Sequence, residues 1–498
     1  MRIFKSLFCV LSILALSPVG NILGQNPWSM TLEEVVNMGM PVINVTTIED
    51  RFPTYDQIYP PEGCIGTTIA NKEKLPGRIQ RIEPDGTVSY DSGPYVDSES
   101  GMTIRIRGNG SALRPKKPFK VKLQKKADLL NRKDPDKEDK NWILMMDRDR
   151  KNITGHMVNQ WLDMVWTPSW EFVNLVYNGK YHGLYLLVES TERNPKCRLD
   201  VSPTGFIVEH DAYWWKAPEE SFPSSLTGPR YAYTFKWPDY DELENYRINY
   251  IEDTIRAYEE ATTQDNYSDL IDVNSLARWV LGHDILGTLD TGGANRYICK
   301  YDDTAGSKLF MGNMWDFDTS ENLTDQLTIF HTYFFKEMFN NKKNQALLRA
   351  YVEMWDYYGE RIFDSLDKLF SKQISEGDEL YDKNAALDHS RWGWDVQTDY
   401  KFTAERQKNY YSNRRKHMKE AVSNLRKDIS AIVEIEDSEA IVNVEGMHLE
   451  VSGVSGEVHL YRLDGTLVAS GISSLDITVP QNGMYILTFE GVSKKLMF

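Results

Sequence analysis

The chain has 498 residues and a formal net charge of −16 at pH 7, which argues against nucleic acid as a partner because its phosphates would be repelled. With 41% hydrophobic and 12% aromatic residues, the composition is that of a folded globular protein and excludes extensive disorder. At this length a single hydrophobic core does not suffice, so two or three domains are expected.

The first 24 residues have the pattern of a secretory signal peptide. Arg2 and Lys5 precede an apolar run over residues 7–20 that is too short to span a membrane, and residues 22–24 give a plausible cleavage site. Past this leader, no stretch has the length and apolar character of a transmembrane helix. The sequence therefore predicts a signal peptide over residues 1–24 and a secreted or cell-surface protein.

The next part of the chain is predicted to be rich in β-strands, with one helix. Alternating or continuous apolar residues separated by Pro and Gly indicate the strands, and Asn178-Gly179 is typical of a type I′ hairpin turn. The predicted strands are residues 42–45, 64–69, 103–107, 119–123, 172–177 and 183–188, and the helix covers residues 152–166.

Basic residues follow a glycine turn in this region. Gly108 and Gly110 would let backbone N–H groups approach phosphates, while Arg107, Lys120 and Lys122 supply positive charge. Lys120 and Lys122 share one face of a predicted strand because side chains alternate along it. The alternative is an edge strand whose lysines face water and prevent aggregation.

Three carboxylates end otherwise apolar strands. Glu189 closes one predicted strand, and Glu209 and Asp211 close another. A buried carboxylate needs a partner, so we expect one of these groups to pair with Lys120 or Lys122 unless it is exposed at the rim.

An ordered set of acidic and amide residues follows a predicted helix over residues 275–286. Asp290 comes first, Asn295 follows five positions later, and Asp316 and Asp318 come after two short strands. Phosphoryl transfer by kinases uses this order, with one Asp accepting the hydroxyl proton and an Asn and a later Asp holding metal. Polar helix caps are the alternative interpretation.

The ordered motifs resemble the CotH-type spore-coat kinases over roughly residues 40–330, with an outer limit near residue 430. They are R-x-R-G-N-G-S, K-K-P-F-K-V-K-L, N-W-I-L, N-G-K-Y-H-G-L-Y-L-L-V-E, D-x4-N and W-D-F-D. The resemblance implies an α+β, two-lobed, atypical protein-kinase-like domain over residues 25–435, with an N-lobe at about 40–240 and a C-lobe at about 241–435. It also implies ATP with Mg²⁺ or Mn²⁺ as cofactors and Ser or Thr hydroxyls of secreted proteins as acceptors.

Carried over by position, the resemblance assigns catalysis to Asp290 and metal binding to Asn295 and Asp316, with Asp318 beside them. The strand of Lys120 and Lys122 resembles the phosphate-contacting strand, and Arg107 and Glu189 complete the predicted nucleotide site. The sequence lacks G-x-G-x-x-G and H-R-D, has W-D-F-D in place of D-F-G, and has no Glu in the helix over residues 152–166. A catalytically inactive, kinase-fold surface adhesion or scaffold protein is therefore the alternative, and a carbohydrate-binding module is a weaker one.

From about residue 440 the pattern becomes all-β, which predicts a small β-sandwich over residues 440–498. The motifs V-H-L-Y-R-L-D-G-T-L-V and V-P-Q-N-G-M-Y-I-L-T-F are similar to C-terminal sorting domains of type IX secretion cargo in Bacteroidota. This resemblance implies outer-membrane secretion machinery as a partner. An accessory sandwich without a sorting role is the alternative.

Overall fold

The computed structural model describes residues 29–146, 150–289, 294–327, 333–393, 399–429, 432–434, 440–463, 465–489 and 492–498. The predicted signal peptide and Asp290 lie outside these ranges. Among the helices of the described residues, none combines the length and apolar character needed to cross a membrane.

A closed ring of seven strands lies within residues 42–189. The strands of this region are β1 (Val42–Thr47), β2 (Gln57–Ile58), β3 (Thr68–Ile69), β4 (Leu75–Ile82), β5 (Val88–Asp91), β6 (Met102–Ile106), β7 (Phe119–Ala127), β8 (Asp139–Met145), β9 (Trp170–Tyr177) and β10 (Lys180–Glu189). In the order β1-β9-β10-β8-β7-β6-β4 each strand hydrogen-bonds to the next, and β4 pairs back with β1. All these pairings are antiparallel except β1–β9, which is parallel.

Alternation along the strands fills the barrel with apolar side chains. In β7, Phe119, Val121 and Leu123 are buried in the barrel core, whereas Lys120 is half-buried and Lys122 exposed on the outer surface. A closed barrel of this size has room only for side chains inside. Function must therefore reside on the outer wall and in the loops.

A second sheet packs against the outside of the barrel. Its strands are buried on both faces: Ile207 and Cys299 pack on Val188 of the barrel, while Val208 and Ile298 face the helices. Its order is β12-β13-β11-β14-β15. These strands are β11 (Phe206–Asp211), β12 (Ser221–Pro223), β13 (Ala232–Trp237), β14 (Arg296–Lys300) and β15 (Leu309–Met311).

Helices form the layer behind this sheet and close one side of the barrel. The helices of the described residues are α1 (Leu32–Val36), α2 (Lys151–Trp161), α3 (Asn245–Ala261), α4 (Tyr267–Leu270), α5 (Val273–Leu286), α6 (Tyr333–Asn340), α7 (Ala346–Met354), α8 (Glu360–Glu376), α9 (Glu379–Trp392) and α10 (Tyr400–Asp428). A π-helical turn, Trp355–Gly359, joins α7 to α8.

The C-terminal strands form two small four-stranded sheets, ordered β16-β17-β18-β21 and β20-β19-β22-β23, and their apolar residues share one core. They are β16 (Ile432–Glu434), β17 (Ile441–Glu445), β18 (His448–Ser452), β19 (Glu457–Arg462), β20 (Leu467–Ile472), β21 (Leu475–Thr478), β22 (Met484–Phe489) and β23 (Val492–Met497).

The prediction of a two-lobed, kinase-like α+β domain followed by one sandwich is wrong. The fold is β-rich, with a closed seven-stranded barrel and helices, followed by several small sheets. The physical reason is β1, which pairs with β4 on one side and with β9, more than a hundred residues away, on the other. Apolar periodicity predicts that a segment is a strand but not which strands it joins.

Candidate active site

Three cations line the outer wall of the barrel where β6 ends and β7 begins. Arg105 lies directly opposite Lys120 in the antiparallel pairing of these strands. Arg107 directly follows β6, with its guanidinium carbon 6.0 Å from the centroid of the Trp315 ring. Like charges directly across a strand pair are destabilising, so this arrangement favours an anion beside them.

Lys120 has a carboxylate partner that sequence analysis missed. Its Nζ donates to Oε1 of Glu192 at 2.7 Å, and Oε2 of Glu192 accepts from the Asn141 side chain at 2.6 Å. Burial lowers the pKa of Lys120, the Glu192 carboxylate opposes that effect, and Arg105 and Arg107 add to it. The only sequence signal for Glu192 is an acid three residues beyond the strand that ends in Glu189.

The predicted partners of the lysines bond elsewhere. Glu189 is 1% exposed and accepts from Arg132 at 2.9 Å and from the Ser169 amide at 2.8 Å. Lys122 lies opposite Asn141 of β8 and is exposed. The expected pairing of Glu189 with Lys120 or Lys122 is therefore not formed.

The carboxylates at the end of β11 face the same region. Glu209 pairs with Lys236 at 2.7 Å, so it does not pair with Lys120 or Lys122 either. Asp211 accepts from the Tyr213 amide at 2.7 Å. Burial and the neighbouring Glu209 carboxylate raise the pKa of Asp211 to about 6.

Asn295 and Asp316 are brought together by the hairpin of β14 and β15. Asn295 directly precedes β14, and Asp316 lies just past β15, where the Gly312 amide still bonds the Tyr297 carbonyl at 2.9 Å. The Asn295 side-chain amide donates to Oδ2 of Asp316 at 3.3 Å. Both residues have left-handed backbone angles, with φ of +57° and +61°, which Asn and Asp tolerate better than most residues.

Helix α2 holds the segment that carries Asp316. Oδ1 of Asn159 accepts from the Met314 amide at 2.8 Å, and Oδ1 of Asn152 accepts from the Phe317 amide at 3.3 Å. Gly155 lies so close to the Phe317 ring that a Cβ on it would stand 2.1 Å from Cγ of that ring. The helix that contains no Glu thus positions the acidic segment through two asparagine side chains and one glycine.

The remaining predicted residues lie beside this segment or outside the described ranges. Asp318 is exposed, and its carbonyl accepts from Lys151 at 3.5 Å. Leu289, the residue before Asp290, donates its amide to the Thr319 carbonyl at 3.2 Å. Asp290 itself is outside the described residues.

Tyr297 on β14 marks where these groups meet. Burial raises the pKa of its hydroxyl well above the usual range, the carboxylates of Glu209, Asp211 and Asp316 raise it further, and Arg107 opposes them. The basic wall, the β11 carboxylates and the Asn295–Asp316 pair therefore lie around Tyr297, which packs between the barrel and the second sheet. We infer that they border one candidate site, called the cleft below.

Comparison with known proteins identifies the family of the chain. The family model described as CotH kinase protein matches residues 104–427. The chain belongs to the CotH kinase protein family. The matched region begins in β6 and ends in α10, so it contains every predicted site residue, while the C-terminal strands lie outside it. No curated protein matches the chain.

Membership indicates a CotH-like kinase or related function and suggests the use of ATP. Among the described residues of this CotH kinase protein, no three His, Cys, Asp or Glu side chains come close enough to hold a metal ion. Mg²⁺ needs fewer protein ligands, because it commonly binds one or two carboxylates together with substrate phosphates and water. The Asp316 carboxylate beside the Asn295 amide fits such a site.

Proposed function

We propose that this CotH kinase protein transfers the γ-phosphate of ATP to Ser or Thr hydroxyls of proteins outside the cytoplasm. The observations that support the proposal are the placement of Arg105 opposite Lys120 on the outer wall of the barrel and the hydrogen bond between Asn295 and Asp316. A triphosphate with a divalent cation has the charges that such a cleft would complement.

Different residues have different roles in the proposed reaction. Arg105, Arg107 and Lys120 bind the phosphates, and Glu192 keeps Lys120 in place. Asn295 and Asp316, with Asp318, would hold Mg²⁺ or Mn²⁺, which supplies neutralisation of charge on the phosphate oxygens when it is bound. Asp290 would accept the proton of the attacking hydroxyl.

Two of the predicted nucleotide contacts remain predictions. Lys122 lies on the same outer face of β7 as Lys120 but is exposed, so it would contact a ligand at the protein surface. Glu189 is already bonded to Arg132 and Ser169, so a direct nucleotide contact would require those bonds to break.

The location and the partners of the protein are also part of the proposal. The leader pattern over residues 1–24 supports export, and the resemblance of the C-terminal motifs to sorting domains supports contact with outer-membrane secretion machinery. Proteins with Ser or Thr hydroxyls are the proposed acceptors, and the charge of −16 argues against nucleic acid.

The test uses the chain without residues 1–24, [γ-³²P]ATP, Mg²⁺ and a Ser/Thr peptide library. We expect phosphate transfer that falls roughly 100- to 1,000-fold in Asp316→Asn, and to background in Asp290→Ala, with unchanged circular dichroism. Asp269→Asn, which changes an exposed carboxylate, is the matched control.

Thermal stabilisation by ATP and Mg²⁺ without transfer would instead favour a nucleotide-binding scaffold, because a ligand of the native state raises its stability by mass action. Absence of both transfer and stabilisation would overturn the proposal.

A further inference from the structure

Lys216 contacts the glycine turn beside the basic wall from the loop after β11. It ends the short helical turn after β11 and is half-buried. Its Nζ donates to Oδ1 of Asn109 at 3.2 Å. Asn109 belongs to the glycine turn that follows Arg107, so this bond joins the loop of the second sheet to the barrel.

The contacts around Lys216 fix its position. Oδ1 of Asn109 also accepts from the hydroxyl of Thr68 in β3 at 3.3 Å. The indole N–H of the preceding residue, Trp215, donates to the Ile65 carbonyl at 3.1 Å. The loop between β1 and β4 thus holds both Asn109 and the backbone that carries Lys216.

Lys216 differs in its electrostatics from its neighbour Lys236. Within the described part of the chain Lys216 forms no ion pair, whereas Lys236 is paired with Glu209 at 2.7 Å. Burial lowers the pKa of Lys216 to about 8, Asp211 opposes this, and Arg105, Arg107 and Lys236 lower it further. Since Arg105 and Arg107 disfavour the protonated form of Lys216, an anion bound near these cations would stabilise its ammonium.

We propose that Lys216 is a further phosphate-binding residue of this cleft and that Asn109 is the residue that positions it. The ligand class is a nucleoside di- or triphosphate or pyrophosphate, bound between the barrel wall and the loop after β11. This inference rests on the proposed function, since it assigns Lys216 to the same nucleotide.

The test measures ATP·Mg²⁺ and pyrophosphate binding by calorimetry on the full chain without its leader. We expect Lys216→Met to weaken both roughly ten- to hundredfold, as loss of a hydrogen bond to a charged group should. Lys343→Met, which removes an exposed ammonium from the segment between α6 and α7, is the control and should bind both ligands as the wild type does. Asn109→Ala should raise KM for ATP several-fold with kcat nearly unchanged.

Lys216→Arg separates a binding role from a structural one. Wild-type affinity for ATP should decline as pH rises through about 8, because Lys216 loses its proton there. The arginine variant should keep its affinity and lose that decline, since a guanidinium stays protonated. The other groups facing Lys216 are Asp211, Arg105, Arg107 and Lys236, and they are identical in both proteins.

The outcomes separate this inference from the kinase assignment. Normal ATP binding in Lys216→Met, or the same pH decline in Lys216→Arg, would overturn the role of Lys216 and leave the kinase proposal intact. Ligand binding that depends on Lys216, in a protein that transfers no phosphate, would overturn the kinase proposal and support the role of Lys216. A wild type that binds neither ligand would overturn both.

Discussion

The ammonium of Lys116 and the carboxylate of Asp388 form a buried ion pair that ties the barrel to α9. Nζ of Lys116 lies 2.7 Å from Oδ1 and 2.8 Å from Oδ2 of Asp388, and Oδ1 also accepts from the Leu184 amide at 3.0 Å. Lys116 lies in the loop between β6 and β7, so this pair anchors the loop that follows the glycine turn of the cleft.

Asp388→Asn should destabilise the protein strongly. The change keeps the size of the side chain but leaves the Lys116 charge buried without its counter-ion, which costs roughly 3–5 kcal/mol in free energy of unfolding. Urea denaturation followed by tryptophan fluorescence measures the loss. Asp136→Asn removes an exposed pair with Lys196 and should cost less than about 1 kcal/mol, so equal losses in the two variants would contradict this account.

Gly155→Ala should destabilise the protein and displace the segment that carries Asp316. The new Cβ would lie 2.1 Å from a ring carbon of Phe317, next to Asp316. Overpacking of this kind costs roughly 1–3 kcal/mol. The better helix propensity of Ala returns about 1 kcal/mol, so a net loss is expected. We expect a lower Tm and weaker stabilisation by ATP and Mg²⁺.

Gly306→Ala is the control for Gly155→Ala, because nothing lies within 4 Å of a Cβ at that position. It should leave both the Tm and the stabilisation by nucleotide unchanged. Wild-type behaviour of Gly155→Ala would show that Phe317 can move away without disturbing Asp316.

Glu192→Gln and Glu189→Gln should separate the two glutamates by function. Glu192 bonds Lys120 in the cleft, so its loss should raise KM for ATP and lower kcat/KM roughly tenfold with a small change in Tm. Glu189 is buried against Arg132, so its loss should lower the Tm and leave KM for ATP unchanged. Steady-state kinetics and thermal unfolding on both variants check this, and an exchange of the two patterns would restore Glu189 as the nucleotide contact.

Asp211 should make the stability of the folded protein fall as pH rises from about 4 to about 6. Its pKa is raised from an ordinary 3.8 to about 6 by burial and Glu209, so over this range the folded state binds more protons than the unfolded state. The Tm of Asp211→Asn minus that of the wild type should therefore grow between pH 4 and 6 and level off above. Scanning calorimetry at matched ionic strength measures the difference, and a constant difference would contradict the raised pKa.

Local patterns in the sequence predicted several parts of this molecule. Alternation in β7 predicted that Lys120 and Lys122 share a face opposite the buried apolar residues, and the structure confirms it. The hairpin at Asn178-Gly179 is confirmed as well, with φ of +50° and +70° at the two turn residues. Alternation and turn geometry depend on residues close together in the chain, so they can be read from the sequence.

The order of Asn295, the two strands and Asp316 also depended on neighbouring residues, and the antiparallel hairpin brings these two side chains to 3.3 Å. The sequence did not predict the carboxylate that pairs with Lys120. Glu192 forms this pair instead of Glu189, because the pairing depends on how the loop after β10 crosses the barrel.

The sequence by itself determined many of the strands, the apolar face of β7 and the family of the chain. It did not predict β4 or β5. Only the tertiary structure decided that β1 closes a ring with β4 and β9, that Arg105 lies opposite Lys120, and that Lys216 bonds Asn109. Those contacts join residues far apart in the chain, and their free energy depends on the packing of whole sheets, which no local pattern specifies.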